Sequence, residues 1–257
     1  MDLEVIHKIP DTPHATPIVL LHGAWHGAWC WDNGFVDQLV ADGFEVFAPS
    51  LRGHGKSGGS ARFATLGQYK ADVASVIASI DRPPVVVGHS MGGLVTQRLI
   101  ADTNVAGAVL LASVNYRGPW GVTVSTATQH PWLFVKSSAT LSLGPLVSTH
   151  EQVRDMFFTT DTPDDLVAWT GERLMAESYV AYLDMFLGAS PKKVSGVPIL
   201  VLGGEADSIF PPSVVRKTAK AYGVEPEFFP GIGHDMMLDT GWETVADRIA
   251  TWIGGLD

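Results

Sequence analysis

The sequence predicts an α/β fold built on a mostly parallel central sheet with helices on both faces. Three observations predict it. Short unbroken aliphatic runs recur along the chain, amphipathic helical stretches alternate with them, and several runs end in a loop rich in glycine or polar residues. Strands buried on both faces read as continuous apolar runs, whereas a sheet with one wet face would alternate apolar and polar residues.

The elements follow in order. The first long strand is 17–21 (PIVLL), ending at His22-Gly23. A helical stretch, 31–41, precedes a strand at 44–48 (FEVFA). A second helical stretch, 66–80, places Tyr69, Val73, Val76 and Ile77 on one face and leads into the strand 84–87 (PVVV). Strands then follow at 107–111 (GAVLL), 198–202 (PILVL) and 227–229 (EFF). Between about Tyr116 and Ser190 no such run occurs. Stretches 149–158 and 163–187 read as helices there, the second with Thr162 as N-cap and Pro163-Asp164-Asp165 as its first turn. This interval is rich in aromatic residues and reads as a helical insertion in one α/β core. The expected division is therefore a core of residues 1–115 and 191–257, with residues 116–190 inserted.

Composition narrows the class of function. The chain has 257 residues, 46% of them hydrophobic, enough for one large core. Its formal net charge of −10 is scattered, without a basic block, so the footprint expected of a nucleic-acid binder is missing. The single cysteine, Cys30, sits in an apolar run and reads as a packed thiol, which leaves no disulfide and no cysteine-based zinc site. The first residues lack the basic and apolar regions of a signal peptide, and no apolar run is long enough to span a membrane. A soluble cytoplasmic protein is expected.

The chemistry-bearing stretch is GHSMGG, residues 88–93, placed after a strand and before the helical stretch 92–101. Gly88 and Gly92 flank Ser90 at two residues on each side, which suits a turn too tight for side chains and aims a helix N-terminus at the serine. A serine hydroxyl is a poor nucleophile without a base, and the base needs an orienting carboxylate. In open α/β sheets both come from loops at strand C-terminal ends. Asp207 lies in such a loop after PILVL, with Glu205 as competitor, and His234 lies in another after EFF. The order Ser90, Asp207, His234 is that of a nucleophile-elbow hydrolase. His89 adjoins the serine but points away from it, as a structural partner. The oxyanion donors expected are the backbone N–H groups of Met91 and, after the first long strand, Ala24. In HGAWHGAW, residues 22–29, His26, Trp29 and Trp31 nearby are assigned to packing, and a metal role for His22 and His26 is set aside for want of a matching carboxylate or cysteine cluster. Trp25, Ile209 and Phe210 fall beside the site and are expected to contact substrate.

With these pieces in order the chain resembles the α/β-hydrolase superfamily over nearly its whole length, through HGAW, LRGHGKSGG (51–59), GHSMGG, GGEAD (203–207) and GIGHDMM (231–237). HGAWHGAWCW is similar to the plant methylesterase and hydroxynitrile lyase branch and its bacterial esterase relatives. The lyases of that branch carry threonine where this chain has Gly23 and lysine where it has Asp235, so the resemblance implies ester hydrolysis. Ser90 argues against relatives whose nucleophile is aspartate. Many relatives carry an acidic residue before the R-G-x-G-x-S loop, where this chain has Ser50-Leu51. The resemblance also implies a helical cap after the sixth strand. The expectation is a serine carboxylesterase for small to medium hydrophobic esters, needing neither metal nor cofactor. The alternatives are a carbon–carbon bond hydrolase, a hydroxynitrile-lyase-type enzyme, or a slow hydrolase serving as a ligand receptor.

Overall fold

The aliphatic runs become the strands of one sheet. The computed structural model describes residues 1–256. Strands β1 (Val5–Lys8), β2 (Ile18–Leu21), β3 (Val46–Pro49), β4 (Val85–His89), β5 (Gly107–Leu111), β6 (Ile199–Gly204) and β7 (Pro226–Phe229) lie in the order β1-β3-β2-β4-β5-β6-β7. All neighbours are parallel except the edge pair β1 and β3. In β2, Ile18 and Leu20 enter one core and Val19 and Leu21 the other; in β4, Val85 and Val87 face the first and Val86 the second. Every one of these side chains is fully buried, which is why the runs show no polar alternation.

Two helical layers complete the core. Helix α1 (Phe35–Ala41) packs with α10 (Trp242–Gly254) on one face, through residues such as Phe35, Leu39, Val245 and Ile249. Helices α2 (Leu66–Ile77) and α3 (Met91–Leu99) cover the other face through Tyr69, Val73, Leu94 and Leu99. Thr65 and Gln68 close a capping box that starts α2. Between β5 and β6 run α4 (Trp120–Gln129), α5 (Pro131–Thr140), α6 (His150–Phe157), α7 (Asp164–Gly171) and α8 (Tyr179–Met185); α9 (Pro212–Tyr222) joins β6 to β7. Among the described residues no helix is long and apolar enough to cross a membrane.

Several expectations need correction. The helix expected over 31–41 begins at Phe35, because Gly34 has φ +103° and a separate 3-10 turn occupies Ala28–Trp31. The helix expected over 163–187 is two. Between α7 and α8 the chain is drawn onto the core: the Met175 N–H donates to the Trp25 carbonyl (2.8 Å) and the Glu177 carboxylate is buried. Thr162 does not cap α7; its hydroxyl donates to Asp239 instead. The helices of the interval expected as an insertion lie between β5 and β6 of this chain. β1, a half-exposed edge strand, carries no apolar run to announce it.

The fold positions the serine turn by close approach. A Cβ built on Gly92 would stand 2.7 Å from the Leu21 carbonyl oxygen and 2.9 Å from Leu21 Cγ, so the start of α3 rests directly on the end of β2. Gly92→Ala is expected to destabilise the protein by about 1–3 kcal/mol or more through overpacking against backbone. A urea titration of the variant checks this, and an unchanged midpoint would contradict it.

Candidate active site

Ser90 closes β4 and precedes α3 with φ 52° and ψ −116°, a left-handed backbone that a serine adopts only when its surroundings impose it. Its N–H donates to the Leu111 carbonyl of β5 (3.1 Å), and its own carbonyl accepts from Gly93 (3.0 Å) and Val114 (3.1 Å). The hydroxyl is thereby held at the strands' C-terminal edge. His234 Nε2 lies 3.0 Å from Ser90 Oγ. His234 Nδ1 lies 2.9 Å from Asp207 Oδ2, and both His234 and Asp207 are buried. The other Asp207 oxygen accepts from the N–H groups of Ile209 (2.8 Å) and Phe210 (2.9 Å), fixing the carboxylate in the loop after β6. The three residues expected from the sequence are thus within hydrogen-bond reach in the expected order. Glu205, the competing acid, is exposed.

Ala24, Trp25, Ser90, Met91, Ile209 and Phe210 all line one pocket. Gly23 lies against the serine: a Cβ there would stand 3.0 Å from Ser90 Cβ and 2.9 Å from His89 Nδ1. The loop runs on into Trp25, which also has a positive φ, 65°. For a non-glycine residue this conformation costs on the order of 1–3 kcal/mol and persists only when neighbours hold it. Leu51 N–H donates to His22 Nε2 (3.0 Å), so His22 Nδ1 carries the proton and donates to the Gly23 carbonyl (2.8 Å). His26 Nδ1 donates to the Ala24 carbonyl (2.7 Å). Trp25 N–H approaches Glu177 Oε2 at 3.4 Å.

His26, assigned to packing on sequence grounds, therefore has polar work as well. Its Nε2 faces Asp235 Oδ2 at 3.0 Å, so a carboxylate does stand beside it, 209 positions along the chain. His89 Nε2 donates to the His234 carbonyl (3.0 Å), in keeping with a structural partner. His89, His234 and Asp235 sit close enough to suggest a metal site, but both His234 nitrogens are occupied by Ser90 and Asp207. A second buried group joins His54 to Glu177 at 3.2 Å, with the Tyr69 hydroxyl (2.7 Å) and Ser178 N–H (2.7 Å) donating to the same carboxylate. Sequence reasoning missed Asp235 and Glu177. The one signal for Asp235 was its departure from the lyase pattern. The expected acid before Arg52 is replaced in space: Ser50 donates to Glu4 (2.7 Å), which also accepts from Lys56 N–H (2.9 Å).

Burial dominates the electrostatics. It holds His22 well below the ordinary histidine range, and it takes His89 down to about 3 with His234 adding to the effect. Burial alone would also neutralise the two acid–base pairs, but each carboxylate outweighs it. His26 beside Asp235 and His54 beside Glu177 are raised, and both carboxylates are lowered. Cys30 is a buried thiol pushed well up.

The aromatic residues of 116–190 divide by place. Phe134, Tyr179 and Tyr182 line the pocket with Val122, Leu146 and Met156 from the same interval. Phe157 and Phe158 are buried, Trp169 packs edge-on against Trp29, and Trp120 and Trp132 are exposed. No side chain lining the pocket carries a formal charge.

A family model described as "Alpha/beta hydrolase family" matches residues 18–248. The chain is 24% identical to a monoacylglycerol lipase of Mycolicibacterium smegmatis over 95% of this chain and 90% of that protein. It is 40% identical to Methylesterase 3 of Arabidopsis thaliana over 30% of each chain. Several matches of higher identity, this one included, span only about a third of the relatives' length. The crystal structure of a Paleococcus ferrophilus monoacylglycerol lipase superposes with a TM-score of 0.76 at 22% identity, covering 100% of both chains.

The buried histidines give stability a pH dependence. His22 and His89 are neutral when folded but take up protons near pH 6.5 when unfolded. The unfolded state binds more protons below that pH, so stability falls on acidification, by up to about 1.4 kcal/mol per pH unit for each histidine. Glu177 and Asp235, lowered when folded, add a further loss at lower pH. His26 and His54, raised when folded, contribute stability below pH 6.5 that is lost as pH rises through their folded values. Urea midpoints measured from pH 8 to pH 4 are expected to drop steadily below about pH 6.5; a flat profile down to pH 5 would contradict this.

Proposed function

The chain belongs to the alpha/beta hydrolase family, and from that premise we propose that it is a serine carboxylesterase acting on uncharged, small to medium hydrophobic esters. The observation that carries the reading is the unbroken line from Asp207 through His234 to Ser90 at the floor of a pocket without formal charge. His234 Nε2 takes the hydroxyl proton as Ser90 Oγ attacks the ester carbonyl. Asp207 holds the imidazole by Nδ1 and stabilises the imidazolium. The N–H groups of Ala24 and Met91 receive the oxyanion, helped by the N-terminus of α3. His234 then gives its proton to the departing alcohol, leaving an acyl group on Ser90. Water activated by His234 releases the acid.

Residues 116–190 act as a cap that sets specificity, with Trp25, Ile209 and Phe210 completing the wall around the acyl or alcohol group. Catalysis uses protein groups alone. The names of the similar proteins, a lipase and a methylesterase, fit ester hydrolysis. Gly23 weighs against a lyase role. The lyases' threonine would set a Cβ 3.0 Å from Ser90 Cβ, and this backbone has no room for it.

A fluorophosphonate probe is expected to label the wild type and not Ser90→Ala; labelling that survives the substitution would overturn the nucleophile. Replacing Ser90, His234 or Asp207 is expected to lower kcat for p-nitrophenyl butyrate by roughly 10⁴-fold. An ester bearing a free carboxylate on its acyl chain would have to bury that charge unpaired. Its kcat/KM should fall about 10²-fold or more below that of the neutral ester of equal length. Equal turnover of the two would contradict the pocket assignment. Fast cleavage of a vinylogous diketone with negligible ester turnover would move the reaction to carbon–carbon bonds.

A further inference from the structure

His26 and Asp235 are a buried charge pair beside the site that ester hydrolysis, as proposed, leaves unused. Their side chains are 1% and 0% exposed. Both ring nitrogens of His26 face acceptors that have no proton to give: Nδ1 the Ala24 carbonyl at 2.7 Å, Nε2 the Asp235 carboxylate at 3.0 Å. A neutral imidazole has one N–H and can serve only one of them. The geometry is therefore that of an imidazolium paired with a carboxylate, with its second proton pinning a backbone carbonyl.

Packing alone gives no account of such a pair. Charges taken out of water are expensive, and well-packed apolar residues of similar volume do as well or better for stability. The pair is also incompletely satisfied, since Asp235 Oδ1 is buried without a hydrogen-bond donor. His89 Nε2 is 3.8 Å away and donates its hydrogen bond to the His234 carbonyl instead. A half-satisfied buried carboxylate calls for a reason other than stability.

Its position supplies one. Asp235 directly follows His234 in the loop after β7, and its N–H is anchored to the Phe157 carbonyl at the end of α6 (2.9 Å). His26 lies two residues past Ala24 in the loop after β2. The pair is a strut between the loop that carries the base and the loop that carries an oxyanion donor. Ala24 is gripped from both sides: the preceding peptide carbonyl, Gly23, accepts from His22 and its own carbonyl accepts from His26. The His22 bond fixes the peptide plane that contains the Ala24 N–H, and the His26 bond fixes the next plane, so that with both held the Ala24 Cα has no freedom to swing its N–H away. The next residue, Trp25, is in the left-handed region at φ 65° and would relax if the Ala24 carbonyl were released.

We propose that His26 and Asp235 are positioning residues, a buried ionic strut that holds the Ala24 N–H on the oxyanion in register with His234. The inference rests on the proposed serine esterase chemistry. It assigns the second histidine of HGAWHGAW and the aspartate of GIGHDMM to one device. Because the strut acts on a group engaged by developing negative charge, its loss should weaken the transition state and leave ground-state binding alone.

The test uses Asp235→Asn, His26→Gln and the double variant, each first shown to be folded by its cooperative thermal unfolding. With p-nitrophenyl butyrate, each single variant is expected to lose about 10–100-fold in kcat with KM held within about two-fold. The double variant should lose no more than the worse single one, because either change dismantles the same strut. Phenylboronic acid, which bonds to Ser90 Oγ and presents a tetrahedral oxygen to the same N–H groups, should bind more weakly by the factor lost in kcat/KM. A lower melting temperature with kcat and boronate affinity unchanged would overturn the proposal, as would single losses that multiply in the double variant. Failure of the esterase reading would appear separately, as wild-type ester turnover that is absent or survives Ser90→Ala. Where ester turnover is merely absent, the boronate comparison still judges the strut, since it needs Ser90 Oγ but no turnover; boronate binding that survives Ser90→Ala would overturn both readings.

Discussion

The arrangement depends on one steric constraint: the backbone at Ser90 must turn from β4 into α3 within a single left-handed residue. That turn exists only because the start of α3 presses on the end of β2 through Gly92, and on β4 through Gly88, where side chains would collide with backbone. The constraint has two effects. It lifts the serine hydroxyl out of the sheet, towards the loops that follow β6 and β7. It also brings the loop after β2 against the serine, since the contact that seats Gly92 involves the carbonyls of Leu21 and His22, and Gly23 follows at once. Ser90 and the loop after β2, the proposed nucleophile and oxyanion loop, are therefore positioned by the same close approach, and a shift in one would carry the other with it.

Around this turn the protein separates charge from solvent in an orderly way. The pocket in front of Ser90 is lined by apolar and hydroxyl-bearing side chains, and the ionised groups sit behind its walls. The pair of His26 and Asp235 lies on one side of the loop after β2; the pair of His54 and Glu177, reached by Trp25 N–H, lies on the other. Glu177 comes from the interval between α7 and α8, so the chain that roofs the pocket is also bound to its floor. Met175 reinforces this through Trp25, and Asp184 does so further out, accepting from Leu66 N–H and from Arg98. Such fixed dipoles and charges work hardest where water is kept out, because the local dielectric is low.

What could be read from the sequence follows from how local each feature is. The parallel strands were legible because burial on both faces leaves a continuous aliphatic run. The serine turn was legible because its steric demand falls on glycines two residues to either side. Asp207 and His234 were legible because each follows its strand in the chain. The edge strand β1 was not, since Val5–Lys8 is only partly buried and has no run to show. The break between α7 and α8 was hidden for a different reason. Helical periodicity runs on through it, and only tertiary bonds from Met175 and Glu177 to distant residues draw the chain out of the helix. Asp235 and His26 are 209 positions apart, and neither spacing nor composition links them.

The histidines show how burial turns one residue type into several. Five of the nine are buried within this one region: His22, His26, His54, His89 and His234. Their states differ because their partners differ. His22 Nε2 accepts a hydrogen bond from Leu51 N–H and must stay neutral to do so, which fixes its one N–H on the Gly23 carbonyl. His89 gives its one N–H to a carbonyl, beside a second imidazole, and has every reason not to charge. His26 faces a carboxylate with one nitrogen and a carbonyl with the other, so only the doubly protonated form satisfies both, and His54 stands between Glu177 and the Arg52 carbonyl in the same way, its Nε2 at ion-pair distance from the carboxylate. His234 alone has a carboxylate on one side and a hydroxyl on the other. Because a hydroxyl can donate a hydrogen bond as well as accept one, that partner suits the general-base role proposed for His234.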